Sequence, residues 1–66
     1  MVLELCEFKV FLDGKLVFED VVYAKHEGSK VILRDILGET KEVENCSIIE
    51  VDVSSTKLIL SRRKRN

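Results

Sequence analysis

The chain has 66 residues, of which 45% are hydrophobic and 35% are charged, and its formal net charge is −1. A chain of this length forms one domain and buries only about 60% of the surface that its unfolded form exposes. Because a core of this size supplies roughly 3–5 kcal/mol, we expect a second subunit, in a homodimer, to add stability. No apolar run approaches the ~20 residues of a membrane span, so we expect no membrane-spanning helix and no membrane as a partner.

The two cysteines are expected to be reduced thiols. Glu4 and Glu7 interrupt the segment in which a secretory signal would need an unbroken apolar run. We therefore expect a cytoplasmic location, where disulfides are rare. Without a disulfide, association remains the expected source of additional stability.

The first predicted strand shows period-2 alternation. Cys6, Phe8, Val10 and Leu12 share one parity, which indicates a strand with one buried face. The following Asp13-Gly14 pair is typical of a two-residue hairpin turn, because both residues tolerate positive φ.

The rest of the chain continues as short strands separated by turns. A return strand over 15–18 is followed by an interruption at Glu19-Asp20, and Asn45 separates two later strands. The predicted strands after the first cover residues 15–18, 21–26, 30–37, 40–44 and 47–53, and a last strand directs Leu58 and Leu60 inward. Strands of this length with turns every 8–12 residues indicate a sandwich or barrel.

In so short a chain, only a small, strongly bent barrel can close. We therefore predict an all-β fold, an antiparallel barrel of the SH3 or OB type with about six or seven short strands. The barrel domain is expected to cover residues 1–61. Residues 62–66, with the sequence RRKRN, form a basic C-terminal tail.

The sequence offers no set of catalytic groups. His26 is the only histidine, so a general-base scheme would rest on one side chain at the mouth of a turn. The paired carboxylates lie two residues apart on strands, where they are typical of a solvated outer face. We therefore predict that the protein is not an enzyme.

The two cysteines differ in their position relative to the alternating apolar residues of their strands. Cys46 is out of phase with Ile49 and Val51, so we expect it at the surface or in a loop, without a role. Cys6 is in phase with the core and is either a small buried hydrophobe or a metal ligand. Near a two-fold axis, two copies of Cys6 would supply two thiolates to one ion, and backbone nitrogens would complete a square-planar set that suits nickel or copper(II).

Four segments of the chain are similar, in order and spacing, to the CooT family of small nickel-binding proteins. They are LCEFKVFLDG, VFEDVVY, HEGSKVILRDILGETKEVE and IIEVDVSSTKLIL, and together they span roughly residues 5–60. The resemblance implies a small β-barrel homodimer that is accessory to the maturation of nickel-containing carbon monoxide dehydrogenase. It also implies that the cysteine near the N-terminus of each subunit binds a shared nickel ion, a role that Cys6 alone inherits. Members of the family begin with Met-Cys, whereas here Met1-Val2-Leu3-Glu4 precede Leu5-Cys6.

The alternative is a small β-barrel module that binds RNA, a function with which the family has also been labelled. Arg62, Arg63, Lys64 and Arg65 in the tail would then contact phosphates. Without these four residues, the remaining chain has seven basic against twelve acidic residues. That acidic surface would restrict RNA contacts to the tail and to exposed aromatic side chains.

Overall fold

The computed structural model describes residues 7–62, which form six strands and no helix. The strands are β1 (Phe8–Leu12), β2 (Lys15–Glu27), β3 (Lys30–Asp35), β4 (Thr40–Glu44), β5 (Cys46–Asp52) and β6 (Lys57–Arg62). The predicted all-β class and strand number are confirmed. Within residues 7–62 there is no helix that is long and apolar enough to cross a membrane.

All six strands belong to one sheet with the order β4-β3-β2-β1-β6-β5. The pairs that follow one another along this order are antiparallel, with one exception. Strands β1 and β6 run parallel in a register that extends from Lys9↔Lys57 to Leu12↔Leu60. The sheet is therefore mixed, which local patterns could not predict because this pairing joins the two ends of the chain.

The sheet curves strongly. Strands β3 and β5 contact each other although three strands lie between them in the sheet order. Near this contact the amide of Cys46 donates to the carbonyl oxygen of Ser29 over 3.1 Å. No ladder joins the edge strands β4 and β5 in the part of the chain that the structure describes, so the predicted barrel remains open.

An irregularity in β2 replaces the predicted break between two strands. Asp20 has a φ of 58°, and the register of β2 against β3 shifts between Val21 and Tyr23. Such bulges bend a strand and increase its twist. The alternation of apolar residues is therefore interrupted at Glu19-Asp20, although β2 continues past these residues as one strand of 13 residues.

Two short turns have the backbone geometry that their residues favour. Asp13 and Gly14 have φ values of 50° and 86°, which confirms the predicted two-residue hairpin between β1 and β2. Asn45, with a φ of 59°, separates β4 from β5. This residue allows the chain to leave one edge of the sheet and enter the opposite edge.

The core lies on the concave face of the sheet. Leu58 and Leu60 point into it from β6, as predicted. The buried hydrophobic residues are Val10, Leu12, Val21, Val31, Leu33, Val43, Cys46, Leu58 and Leu60. Phe8, Val17, Phe18 and Ile48 pack against them from partly buried positions.

Candidate functional site: an apolar cleft beside the start of the first strand

An apolar cleft of about 230 Å³ opens on the concave face of the sheet. Strands β1, β2, β5 and β6 form it, and its walls include Phe8, Val22, Tyr23, Ile48 and Val51. The cleft exists because the sheet does not close, so that one end of the core is left uncovered.

Strand β5 shows how the core opens. Val51 lies opposite Leu58 of β6 in the ladder, and both side chains line the cleft. Leu58 is only 5% exposed, whereas Val51 is 55% exposed. The cleft therefore ends in an exposed apolar edge at β5.

Cys6, the predicted metal ligand, lies outside the described residues. The described chain begins at Glu7, and Phe8, which lines the cleft, follows Cys6 by two positions.

Cys46 is not at the surface, and that prediction is wrong. Its side chain is fully buried, and its thiol donates a hydrogen bond to the carbonyl oxygen of Val43 over 3.3 Å. Burial raises the pKa of the Cys46 thiol. Because metals bind the thiolate, this group is poorly suited as a ligand. The phase argument failed because Ile49 and Val51, with which Cys46 was compared, are exposed and do not mark the buried face of β5. The register shift between Ile48 and Glu50 also changes the parity within this strand.

The remaining candidate ligands are dispersed. His26 is exposed near the end of β2, opposite Val31 of β3. Among residues 7–62, no group of three or more histidine, cysteine, aspartate or glutamate side chains could hold a metal ion.

The predicted basic tail begins inside the sheet. Arg62 is the last residue of β6, and its Nη1 donates to the carbonyl oxygen of Glu44 over 3.2 Å. Its amide donates to Oδ1 of Asp13 over 3.4 Å. Arg62 therefore helps to connect β6 with β4 and with the first hairpin. Arg63, Lys64 and Arg65 lie outside the described residues.

The geometry defines a class: small all-β proteins whose single, strongly curved sheet leaves an apolar core open at one end. The family described as CO dehydrogenase accessory protein CooT matches residues 5–61 of the chain. The chain belongs to this family, and the resemblance seen in the sequence is confirmed. The family is named for an accessory role and not for a catalytic activity.

Two individual proteins are similar to the chain. An uncharacterized protein of Methanocaldococcus jannaschii is 32% identical over 56 residues, which cover 85% of this chain and 96% of that protein. A crystal structure assigned to CooT from Carboxydothermus hydrogenoformans superimposes with a TM-score of 0.77 at 22% identity, covering 89% of this chain and 100% of the other. The structural likeness shows that the two chains share the fold.

Proposed function

We propose that the protein binds a nickel ion through Cys6 at a homodimer interface and serves the maturation of a nickel enzyme. The observation that carries this proposal is the family match, which covers residues 5–61 and includes Cys6. Maturation of a carbon monoxide dehydrogenase requires delivery of nickel to the enzyme. In this proposal the ion is cargo, and the recipient is a nickel enzyme of that kind.

The chemistry of the two thiols supports Cys6 as the ligand. Cys46 is buried and hydrogen-bonded to Val43, so the other thiol of the chain is the better donor. One cysteine per subunit gives a dimer two thiolates, and main-chain nitrogens complete the square-planar N and S set that nickel(II) favours. Residues 1–5 precede Cys6, so its own nitrogen would bind as an amide rather than as a free α-amine.

Ligand deprotonation makes the binding dependent on pH. A free thiol has a pKa near 8.5, so metal binding at neutral pH must displace protons. We expect nickel affinity to weaken between about pH 8 and pH 6, as the competition of protons for the two thiolates increases.

A nickel titration tests the proposal. Purified protein is titrated with nickel(II) while thiolate-to-metal absorption in the near ultraviolet is recorded. We expect saturation at one ion per two chains, loss of the absorption in Cys6→Ser and little change in the matched control Cys46→Ser. An unchanged titration in Cys6→Ser would refute the role of Cys6. Equal loss in both variants would indicate a site made by both thiols of one subunit.

RNA binding is the second candidate, and two aromatic rings that lie beside basic side chains favour it. Arg34 covers the ring of Tyr23 at 4.3 Å, and Lys57 lies 6.0 Å from the ring of Phe11. Exposed aromatic rings beside cations can stack bases. Titration of a labelled single-stranded RNA at several salt concentrations tests this candidate. Binding that weakens on removal of residues 63–66, with a smaller salt dependence of the remaining affinity, would support the tail as its phosphate contact.

A further inference from the structure

One edge of β2 is free along the second half of the strand. β1 pairs with β2 only as far as Phe8↔Val21, whereas β3 pairs with β2 from Val21 to Glu27. On the side of β1, residues 22–27 of β2 therefore have no ladder partner among residues 7–62. The main-chain groups of such an edge can pair with another extended segment.

The apolar cleft lies along this free edge. Val22, Tyr23 and Ala24 belong to the edge and line the cleft, and Phe8 lines it from the start of β1. A segment that pairs with the edge therefore also covers one end of the cleft.

The chain that precedes β1 has the length and the position to occupy the edge. Six residues with the sequence MVLELC precede Glu7, and five of them are apolar. An extended segment of six residues spans about 20 Å, which is long enough to reach the end of β2. Because these residues continue β1 directly, they need no turn to reach the edge.

The faces of β2 restrict the register of such an extension. Ala24 and His26 lie opposite Leu33 and Val31 of β3, both of which are fully buried. Neighbours in a ladder share a face of the sheet, so Ala24 and His26 are on the concave side. Tyr23, between Val22 and Ala24, is then on the convex side.

The faces of β1 supply the other half of the register. Phe8 packs against the core, and alternation along an extended chain assigns Cys6 and Glu4 to the same side. The matching pairs are then Cys6↔Ala24 and Glu4↔His26. The extra residue of β2 in this register falls between Val21 and Ala24, where β2 already has a bulge against β3.

We infer that residues 3–6 extend β1 and pair with residues 24–27 of β2 in the same chain, in the register Cys6↔Ala24. The segment covers the free edge and the adjoining end of the cleft. Glu4, the one charged residue that precedes Cys6, lies opposite His26, where it meets no like charge. This pairing goes beyond nickel binding and does not depend on it, and residues 1–4 lie outside the family match over residues 5–61.

Disulfide trapping tests the register in the full-length chain. Ala24→Cys and the matched control Lys25→Cys are oxidised with glutathione disulfide in the presence of a chelator, and the bonds are mapped by mass spectrometry. We expect an intramolecular bond between Cys6 and the new cysteine to form at least ten times faster in Ala24→Cys. Directly opposite residues lie within the distance that a disulfide requires, whereas Lys25 is on the other side of the sheet. Both sites are exposed, so both variants should fold.

Hydrogen exchange tests the pairing without a new cysteine. Successive residues of a strand direct their amides to opposite edges, so the double variant Glu4→Pro/Leu5→Pro removes one donor toward β2 in either register. We expect exchange of amides in residues 24–27 to become at least tenfold faster in this variant, and to change little in the control Glu4→Ala/Leu5→Ala.

Three results would overturn the inference. They are equal trapping rates in Ala24→Cys and Lys25→Cys, unchanged exchange in the proline variant, and a bond in Ala24→Cys that joins two chains, which would make the segment of a second copy the occupant. Since neither experiment contains a metal ion, both decide the pairing whatever the nickel titration shows.

Discussion

The thiol of Cys46 donates a 3.3 Å hydrogen bond to the carbonyl oxygen of Val43 across the Asn45 turn. The bond joins the end of β4 to the start of β5 at the point where the chain passes between the two edges of the sheet. Both side chains belong to the core. Cys46 is therefore a structural residue, and its thiol stabilises the crossing instead of serving chemistry.

The rate at which the Cys46 thiol reacts with a thiol reagent should be limited by the unfolding of the protein around it. In a Cys6→Ser variant, the remaining thiol is fully buried, so Ellman's reagent should react with it only as fast as the protein opens. We expect no fast phase in the native variant and one thiol per chain in concentrated guanidinium chloride. A fast reaction of the native variant would show that Cys46 is accessible.

The stability of the protein should fall at alkaline pH because of Cys46. Burial raises the pKa of its thiol above that of a free thiol, near 8.5, so at alkaline pH the unfolded chain loses this proton more readily than the folded one. The buried neutral thiol therefore adds to the free energy of unfolding. This addition is fully present below the pKa of the unfolded chain and is lost as the pH rises through the pKa of the folded chain. Urea unfolding between pH 7 and pH 10.5 should show a decline in the free energy of unfolding that is smaller in Cys46→Ala.

Asp35 should be important for the turn between β3 and β4. Its Oδ1 accepts hydrogen bonds from the amides of Leu37 and Glu39 over 3.0 and 2.8 Å, and the residue is 9% exposed. Asp35→Ala should lower the free energy of unfolding by about 1–3 kcal/mol, because both donors lose their acceptor. Asp35→Asn keeps a carbonyl oxygen and should lower it less.

The control for this turn is Leu37→Ala. Because Leu37 is 85% exposed, its truncation should change the free energy of unfolding by no more than about 0.5 kcal/mol. Urea denaturation of the three variants decides the outcome. A loss in Leu37→Ala equal to that in Asp35→Ala would mean that the turn is stabilised by the leucine side chain.

Arg62 should contribute to the stability of the fold, whereas residues 63–66 should not. Arg62→Ala removes the bond to Glu44 but keeps the amide bond to Asp13, and we expect a loss of about 0.5–1.5 kcal/mol. A chain that ends after Arg62 keeps both bonds and should have the unfolding midpoint of wild type. A lower midpoint in that shortened chain would show that residues 63–66 contribute to the fold.

Local patterns in the sequence determined the all-β class, the hairpin at Asp13-Gly14 and the inward direction of Leu58 and Leu60. These features depend on residues close together in the chain: alternation with period 2 and the backbone preferences of aspartate, asparagine and glycine. The order of short segments also indicated the CooT family, which the match over residues 5–61 confirms.

The tertiary structure alone decided the parallel pairing of β1 with β6, the opening of the barrel and the burial of Cys46. Each depends on contacts between residues far apart in the chain or on a change of parity at a bulge, as between Ile48 and Glu50. The alternation of Ile49, Val51 and Val53 indicates a strand with one apolar face, but it cannot show whether that face is covered. In the described residues Ile49 and Val51 lie on the edge strand β5 and Val53 directly follows it. All three side chains are exposed, because the curved sheet leaves its β4 and β5 edges unjoined.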